Sequence, residues 1–146
     1  MADHLTPERR SWNMSQIHSK DTAIEVKARK WLYHEGFRYR KNVNELPGKP
    51  DVVLKKYKTV IFIHGCFWHK HEGCKYFVWP KSNIEFWEKK IYSNAERDKK
   101  NYKLLEDMGW NVIVIWECEL KKKNFDTTMA RIVNELTENY IQNLQR

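Results

Sequence analysis

The chain has 146 residues, a formal net charge of +8 at pH 7 and a mean hydropathy of -0.81. This length suits one domain, so we expect residues 1–146 to share a single hydrophobic core. No apolar run approaches the ~20 residues of a membrane span, and the stretch MADHLTPERR lacks the apolar segment of a secretory signal. These features exclude a membrane protein, and we expect a soluble protein of the cytoplasm.

The excess of basic residues indicates what kind of partner the protein binds. Lys and Arg number 27 against 19 Asp and Glu, and seven tryptophans add stacking surfaces. Phosphate neutralisation and base stacking are the usual means of binding nucleic acid, which the composition therefore favours. The chain has only three cysteines. An odd number without a secretory signal argues against a disulfide framework and favours a metal site.

The first helix is predicted over residues 21–36, DTAIEVKARKWLYHEG. Thr22 and Glu25 fit a capping box at its start, and Gly36 fits a left-handed stop at its end. Residues 1–20 show no clean period and are predicted to be an arm rather than a core element. The apolar stripe of the helix consists of Ile24, Ala28, Trp31 and Leu32.

Three strands are predicted next. The stretch FRYR (37–40) alternates, while DVVLKK (51–56) and TVIFIHG (59–65) are β-branched runs joined by a short turn at residues 56–58. Turn-forming residues fill the stretch NVNELPGKP (42–50). The run TVIFIHG is apolar on both faces, which predicts a central strand.

The second half of the chain predicts helix, strand and helix. Residues 82–109 form either one long helix or two short ones, stopped at Gly109, and WNVIVIWE (110–117) is another buried strand. Residues 126–144 form a closing amphipathic helix. Its apolar side consists of Ile132, Leu136, Tyr140 and Leu144. The order α-β-β-β-α-β-α predicts an α/β fold, in which a three-strand meander and a helical crossover build a mixed sheet flanked by helices.

Cys66, His71 and Cys74 have the spacing C-x4-H-x2-C, and Cys118 follows the last predicted strand. If that strand lies near TVIFIHG, the ends of the two strands meet and all three cysteines join one histidine. Thiolate and imidazole ligands select Zn²⁺, and four protein ligands make a site structural rather than catalytic. The spacing alone leaves His69 open as the histidine ligand, and Cys118 could instead pack as a small apolar residue.

A second group of polar residues falls near strand ends. Asp51 begins one predicted strand and His64 lies near the end of the next. Glu25 comes from the predicted helix before these strands, and Asp98 from the predicted helix after them. Paired carboxylates hold Mg²⁺ in phosphodiester-cleaving enzymes, and a neutral histidine nearby can accept a proton from water. Each residue has a plainer reading: Glu25 as only the capping acid, Asp98 as a solvated helix partner, and His64 as a histidine satisfied at a strand end.

Several segments together are typical of one enzyme family, and they are NMSQI, DTAIE, LPGKPDVVL, VIFIHGCFWHKH, EFWEKKI, ERDKK and MGWNVIVIWECEL. With these segments the chain resembles the very-short-patch repair (Vsr) DNA mismatch endonucleases. The resemblance runs from about residue 8 to about residue 122, and HGCFWH with the distant WEC is its most specific part. It implies a restriction-endonuclease-like core of the PD-(D/E)xK type, although the expected acid and lysine after Asp51 are absent here.

The resemblance also implies an activity. It implies a Mg²⁺-dependent enzyme that nicks double-stranded DNA at T:G mismatches left by deamination of 5-methylcytosine. The cut falls 5′ to the mismatched T, in the strand that carries it. Such an enzyme would act at the bacterial nucleoid, as a monomer, with a functional link to a cytosine-5 methyltransferase and to mismatch-repair proteins.

The resemblance assigns site residues one by one. It implies the catalytic side chains Asp51, His69, His64, Glu25 and Asp98. Mg²⁺ would bind Asp51 and the backbone carbonyl of Ile63, with His69 as the water-activating base. The implied zinc ligands are Cys66, His71, Cys74 and Cys118, with Glu72 as an alternative because the spacing before Cys74 is one residue longer than usual. The implied DNA-inserting residues are Phe67, Trp68, Trp87, Met14 and Ile17.

Two other functions fit the same core. One is a zinc-stabilised DNA-binding module without catalysis, and the presence of all five acidic and histidine residues argues against it. The other is a restriction endonuclease, which would cut both strands of matched DNA.

Overall fold

The computed structural model describes residues 22–145, which contain three helices and four strands. In chain order they are α1 (Ala23–His34), β1 (Arg40–Lys41), β2 (Val52–Leu54), β3 (Thr59–His64), α2 (Ile84–Asp107), β4 (Asn111–Trp116) and α3 (Phe125–Leu144). Short 3-10 turns, Lys55–Tyr57 and Glu117–Leu120, follow β2 and β4.

The strands form one mixed sheet in the order β1-β2-β3-β4. The first three are antiparallel neighbours, and β4 lies parallel to β3 after the crossover through α2. The meander and crossover predicted from the sequence are therefore confirmed. In the parallel pair His64 lies opposite Trp116, so the loops that leave β3 and β4 begin side by side at one edge of the sheet.

The start of α1 follows its predicted cap. The Thr22 hydroxyl accepts a hydrogen bond from the Glu25 amide at 3.4 Å, which satisfies one of the free amides of the first turn. The Glu25 side chain is buried and forms an ion pair with Arg29 at 3.5 Å. The hydroxyl half of the predicted capping box is thus present, while the carboxylate points into the protein.

The end of α1 explains why the strand predicted over residues 37–40 is wrong in its bounds. Gly36 has a φ of 96°, and the Phe37 amide donates back to the Leu32 carbonyl at 3.0 Å, as in a Schellman motif. The Arg38 guanidinium also turns back and donates to the Phe37 carbonyl at 3.1 Å. These residues close the helix, so pairing with β2 begins only at β1.

The sheet is packed on both faces. The helices α1 and α3 cover one face, where Ala28, Leu32, Ile132 and Leu136 are buried to 1% exposure or less. The helix α2 covers the other face through Leu105. All six residues of β3 are buried, as predicted for a central strand. Leu144, on the same predicted side of α3 as Ile132 and Leu136, is 67% exposed, so burial along that side does not continue to the end of the helix.

The helix α2 is a single helix of 24 residues, which resolves the two alternatives left by the sequence. It ends where predicted, with Gly109 at a φ of 93°. Neither α2 nor any other helix in residues 22–145 combines the length and apolar character that a membrane crossing requires.

Candidate active site

The Asp51 carboxylate lies directly before β2 and is held by the neighbouring strand. Its Oδ2 accepts a hydrogen bond from the Ile63 amide at 2.6 Å. Burial raises the pKa of Asp51 to about 7. The hydrogen bond from Ile63 opposes that rise, whereas the charge of Glu25 adds to it. A buried carboxylate beside a second carboxylate gains from a cation, because both charges are otherwise desolvated and mutually repulsive.

A cleft of about 430 Å³ opens in front of this carboxylate. Its lining includes Glu25, Asp51, Ile63, His64 and His69, which the sequence analysis singled out as site residues. The turn LPGKP forms one wall through Gly48, whose φ is 77°. A Cβ on this glycine would come within 3.1 Å of the Phe62 ring, so a side chain here would crowd β3 as well as strain the left-handed backbone.

The two histidines of the cleft form a stacked pair. Their ring centroids are 3.7 Å apart at an interplanar angle of 16°. His69 Nδ1 lies 2.5 Å from Asp98 Oδ2, whereas His64 Nε2 lies 4.0 Å from the same oxygen and 2.5 Å from the Tyr102 hydroxyl. Burial and, to a smaller extent, the neighbouring His69 lower the pKa of His64 to about 3, and Asp98 partly opposes this shift. The cleft thus holds the two imidazoles through different partners, His64 through Tyr102 and His69 through Asp98.

One face of α2 holds this pair in place. Asn94, Asp98 and Tyr102 are spaced four residues apart, so they lie above one another on the helix. Asn94 donates to the Trp68 carbonyl at 3.1 Å, Asp98 contacts His69, and Tyr102 contacts His64. Three successive turns of one helix thus fix the backbone and both imidazoles of the loop after β3. We call Glu25, Asp51, His64, His69 and Asp98 the carboxylate–histidine site.

A second group, the cysteine cluster, lies behind the same loop. Its members are Cys66, His71, Cys74 and Cys118, whose ligand atoms all lie within 4.8 Å of one another. Cys118 Sγ is 3.4 Å from His71 Nδ1. Tetrahedral sulfur and nitrogen ligands of one zinc ion are separated by about 3.6 Å, so the group has the size and the chemistry of a zinc site. Burial raises the pKa of Cys66 to about 12, which a bound cation would reverse by favouring the thiolate.

The sheet register accounts for this cluster. His64 and Trp116 lie opposite each other at the ends of the parallel strands β3 and β4. Cys66 and Cys118 each follow two residues later, and the Cys118 amide donates to Cys66 Sγ at 3.4 Å. The His71 ring stacks on Trp116 with the centroids 4.1 Å apart, which fixes the third side chain of the cluster.

Aromatic rings cover the outer side of the loop. Phe67, Trp68 and Trp87 form a triangle with centroid distances of 5.3, 5.4 and 5.7 Å. Phe86 extends the group from the first turn of α2 and is 60% exposed. All three rings of the triangle are half-buried, so they form a surface rather than a core.

The sequence matches known proteins over most of its length. The family description "DNA mismatch endonuclease Vsr" matches residues 2–75. The type II nicking enzyme V.NmeAIP of Neisseria meningitidis is 52% identical over 139 residues, covering 94% of this chain and 99% of the relative. The chain belongs to the Vsr DNA mismatch endonuclease family. The DNA mismatch endonuclease Vsr of Escherichia coli K12 is 44% identical over 121 residues, covering 83% of this chain and 77% of the relative.

This Vsr-family chain is therefore a DNA endonuclease, an enzyme that hydrolyses phosphodiester bonds. These matches confirm the family resemblance that the sequence motifs indicated. Met14 and Ile17, which the resemblance assigned to DNA contact, lie within the matched range but outside the described residues 22–145.

The structure shows which of the two histidines, His69 or His71, lies beside the cysteines, a choice that their spacing left open. His71 joins the three cysteines, and His69 turns the other way to Asp98. Glu72, the alternative ligand, is exposed and forms an ion pair with Lys70. Asp98 is likewise no solvated helix partner, since its carboxylate is only 17% exposed and bonds a histidine.

Two residues of this site were missed by sequence reasoning as functional candidates, Asn94 and Tyr102. Both contact the loop that carries His64 and His69. Their signal was their spacing, one helical turn before and one helical turn after Asp98. Arg29 was also missed, although it lies one turn after Glu25 and neutralises that buried carboxylate.

Proposed function

We propose that this protein is a mismatch-specific nickase, which cuts double-stranded DNA 5′ to the T of a T:G mismatch. The observation that carries the proposal is the Asp51 carboxylate, fixed by the Ile63 amide in a cleft that Glu25, His64 and His69 also line. The printed names of the relatives support it, since one is a mismatch endonuclease and another a nicking enzyme. Their coverage of this chain supports treating residues 1–146 as one endonuclease domain.

The residues in the cleft fit a hard divalent cation. Asp51 and the backbone carbonyl of Ile63 would bind Mg²⁺, with Glu25 as a supporting carboxylate. When bound, Mg²⁺ would offset negative charge on the cleaved phosphate and on the leaving oxygen. Arg29 keeps Glu25 paired inside the protein, so the cation site does not require two unpaired buried carboxylates.

His69 is the proposed general base. In this role Asp98 accepts a hydrogen bond from the Nδ1–H of His69, which leaves the Nε2 lone pair free to accept a proton from water. The water oxygen then forms a bond to phosphorus, the bond from phosphorus to the leaving oxygen breaks, and the leaving oxygen takes a proton from solvent. The His64 ring stacks against the His69 ring and so restricts the orientation of His69.

The cysteine cluster is proposed to hold a structural Zn²⁺. Four protein ligands leave no open position for water or substrate, which argues against a catalytic role for this ion. Bound zinc would tie the loop after β3 to the segment after β4. The chain itself supplies the rest of the scaffold, through the stacking of His71 on Trp116 and the bond from Asn94 to the loop backbone.

The aromatic triangle is the proposed DNA wedge. Phe67 and Trp68 directly follow Cys66, the first proposed zinc ligand, and Trp87 packs against both rings from α2. Insertion of these rings beside a base pair costs unstacking energy, which is smaller at a mismatch than at a normal pair. Met14 and Ile17 of the arm would add contacts to the duplex. Lys and Arg contacts to phosphates would supply most of the affinity, so binding should weaken steeply with salt.

The cellular setting belongs to the same proposal. A T:G mismatch arises when 5-methylcytosine is deaminated, so the enzyme would follow a cytosine-5 methyltransferase and hand its nick to repair proteins. A nick in one strand requires one active site, which fits a monomer.

A strand-specific nicking assay tests the proposed function. Duplexes labelled on each strand, differing only in T:G against T:A, are incubated with Mg²⁺ or with EDTA across several flanking sequences. We expect a Mg²⁺-dependent nick only 5′ to the mismatched T. Cutting of both strands of matched DNA would instead indicate a restriction endonuclease, and binding without cleavage in every context would indicate a non-catalytic module.

A further inference from the structure

Two polar groups, the Tyr102 hydroxyl and the Asp98 carboxylate, lie near Nε2 of the His64 ring. Its Nε2 lies 2.5 Å from the Tyr102 hydroxyl and 4.0 Å from Asp98 Oδ2. The first distance is a hydrogen bond and the second is not. Tyr102 is itself fixed, because its ring packs on Phe62 with the centroids 5.3 Å apart.

A neutral imidazole carries one proton, so one ring nitrogen donates and the other accepts. The Tyr102 hydroxyl has a proton to give, and His64 Nε2 is its hydrogen-bond partner among the described residues. We propose that Tyr102 is a positioning residue, whose hydroxyl donates to His64 Nε2, keeps the His64 proton on Nδ1 and reserves Asp98 for His69. This proposal rests on the proposed nuclease function, in which His69 is the base.

Tyr102 matters in this proposal because His64 and His69 would otherwise compete for the same oxygen of Asp98. Asp98 Oδ2 is the oxygen that bonds His69 Nδ1, and it is also the one that faces His64 Nε2. If His64 carried its proton on Nε2, that N–H would be attracted to the same carboxylate oxygen. Because the two rings are stacked at 3.7 Å, a turn of His64 toward Asp98 would also move His69. The tyrosine hydroxyl removes this competition by making Nε2 an acceptor.

The tautomer can be measured without DNA. Correlation of ring nitrogens with carbon-bound protons in ¹⁵N-labelled full-length protein distinguishes protonated from unprotonated nitrogens of each histidine. The His64 signals are assigned by their loss in His64→Gln. We expect a protonated Nδ1 and an unprotonated, hydrogen-bonded Nε2 in the wild-type protein. A wild-type His64 with its proton on Nε2 would overturn the proposal, whatever any variant does.

The matching kinetic test uses Tyr102→Phe, which removes only the hydroxyl. We expect the single-turnover nicking rate at saturating enzyme to fall about tenfold, which corresponds to the loss of one hydrogen bond. DNA affinity should not change, and the His64 tautomer should become mixed. Tyr140→Phe is the control, because Tyr140 is half-buried on α3 and packs against the Tyr57 ring with the centroids 5.6 Å apart, outside the site. An unchanged nicking rate in Tyr102→Phe, with the tautomer also unchanged, would exclude the positioning role.

A double variant shows whether Tyr102 acts through Asp98. In an Asp98→Asn background His69 has already lost its carboxylate partner, so adding Tyr102→Phe should cost less than twofold. A full tenfold loss in that background would mean that Tyr102 works by another route and would contradict the proposal. Failure of the wild-type enzyme to nick mismatched DNA would refute the proposed function, while the tautomer measurement would still stand by itself.

Discussion

Residues of the carboxylate–histidine site and of the cysteine cluster alternate along the chain between positions 64 and 74, yet the two groups offer different kinds of metal ligand. Positions 64 and 69 supply one group, and positions 66, 71 and 74 supply the other. The first group presents carboxylates and imidazoles to an open cleft, whereas the second gathers three sulfur atoms, those of the buried Cys66 and of the half-buried Cys74 and Cys118. Hard oxygen ligands suit Mg²⁺ and soft thiolates suit Zn²⁺, so neighbouring residues can sort two metals by ligand type alone.

The two groups also depend on different parts of the fold. The cysteine cluster depends mainly on β3 and β4, whose register brings Cys66 and Cys118 together and whose Trp116 stacks on His71. The carboxylate–histidine site draws on α1, β2, β3 and α2, and its geometry depends on all four elements. The first should therefore govern folding of the loop, and the second should govern rate.

The largest effect is expected from Asp51→Asn. Loss of the charged carboxylate removes the proposed Mg²⁺ ligand, and we expect the nicking rate to fall at least about a thousandfold, or about 4 kcal/mol. Zinc content and thermal unfolding should match the wild-type protein. Asp107→Asn, at the exposed end of α2, is the matched control. Retention of the wild-type rate would remove Asp51 from the cation site.

A pair of histidine variants tests the separation directly. We expect His71→Asn to lose zinc and at least about 3 kcal/mol of unfolding free energy, because a structural metal ties folding to its ligands. His69→Asn should keep both zinc and stability but lose nicking. Elemental analysis and thermal denaturation of the two purified proteins decide the matter. Zinc retained in His71→Asn and lost in His69→Asn would reverse the assignment.

A smaller loss is expected from Asp98→Asn. The amide can still occupy the space beside His69, but it no longer favours the Nδ1-protonated form of that ring. We expect the single-turnover rate to fall about a hundredfold, within the range for a misaligned general base, with DNA affinity unchanged. Weaker DNA binding with a normal rate at saturation would place Asp98 in recognition instead.

The smallest effect concerns selectivity. The double variant Phe67→Ala and Trp68→Ala should reduce the preference for T:G over T:A about tenfold, since stacking on one base contributes about 1–3 kcal/mol. Salt-dependent binding to matched duplex should persist. Tyr33→Ala removes a ring that is 55% exposed on α1 and serves as control. If the double variant discriminated as well as the wild-type protein, the wedge would lie elsewhere.

Local signals in the sequence predicted most of the elements. The cap at Thr22, the stop at Gly36 and the apolar run of β3 act through neighbouring residues, so the pattern alone identified them. The strand predicted at FRYR began too early because its first residues close α1 by a hydrogen bond to Leu32. Leu144 fits the helical period but is 67% exposed, because periodicity predicts which side of a helix a residue occupies and not how far along the helix that side is covered.

The site was predictable in its residue types and less so in its grouping. Spacing could not choose between His69 and His71, because both lie within reach of Cys74 along the chain. The choice is made by Asp98 and Trp116, which pack against the loop from distant elements. Tyr102 escaped notice for the same reason, since its importance comes from His64, 38 residues away in sequence.

The straight face of α2 that carries Asn94, Asp98 and Tyr102 has a consequence for how this gene can change. Each added or deleted residue turns the following part of a helix by about 100°. A single codon gained or lost between Asn94 and Tyr102 would therefore swing at least one of the three side chains away from its partner. Surface loops can vary in length, but this stretch of nine residues tolerates substitution far better than insertion.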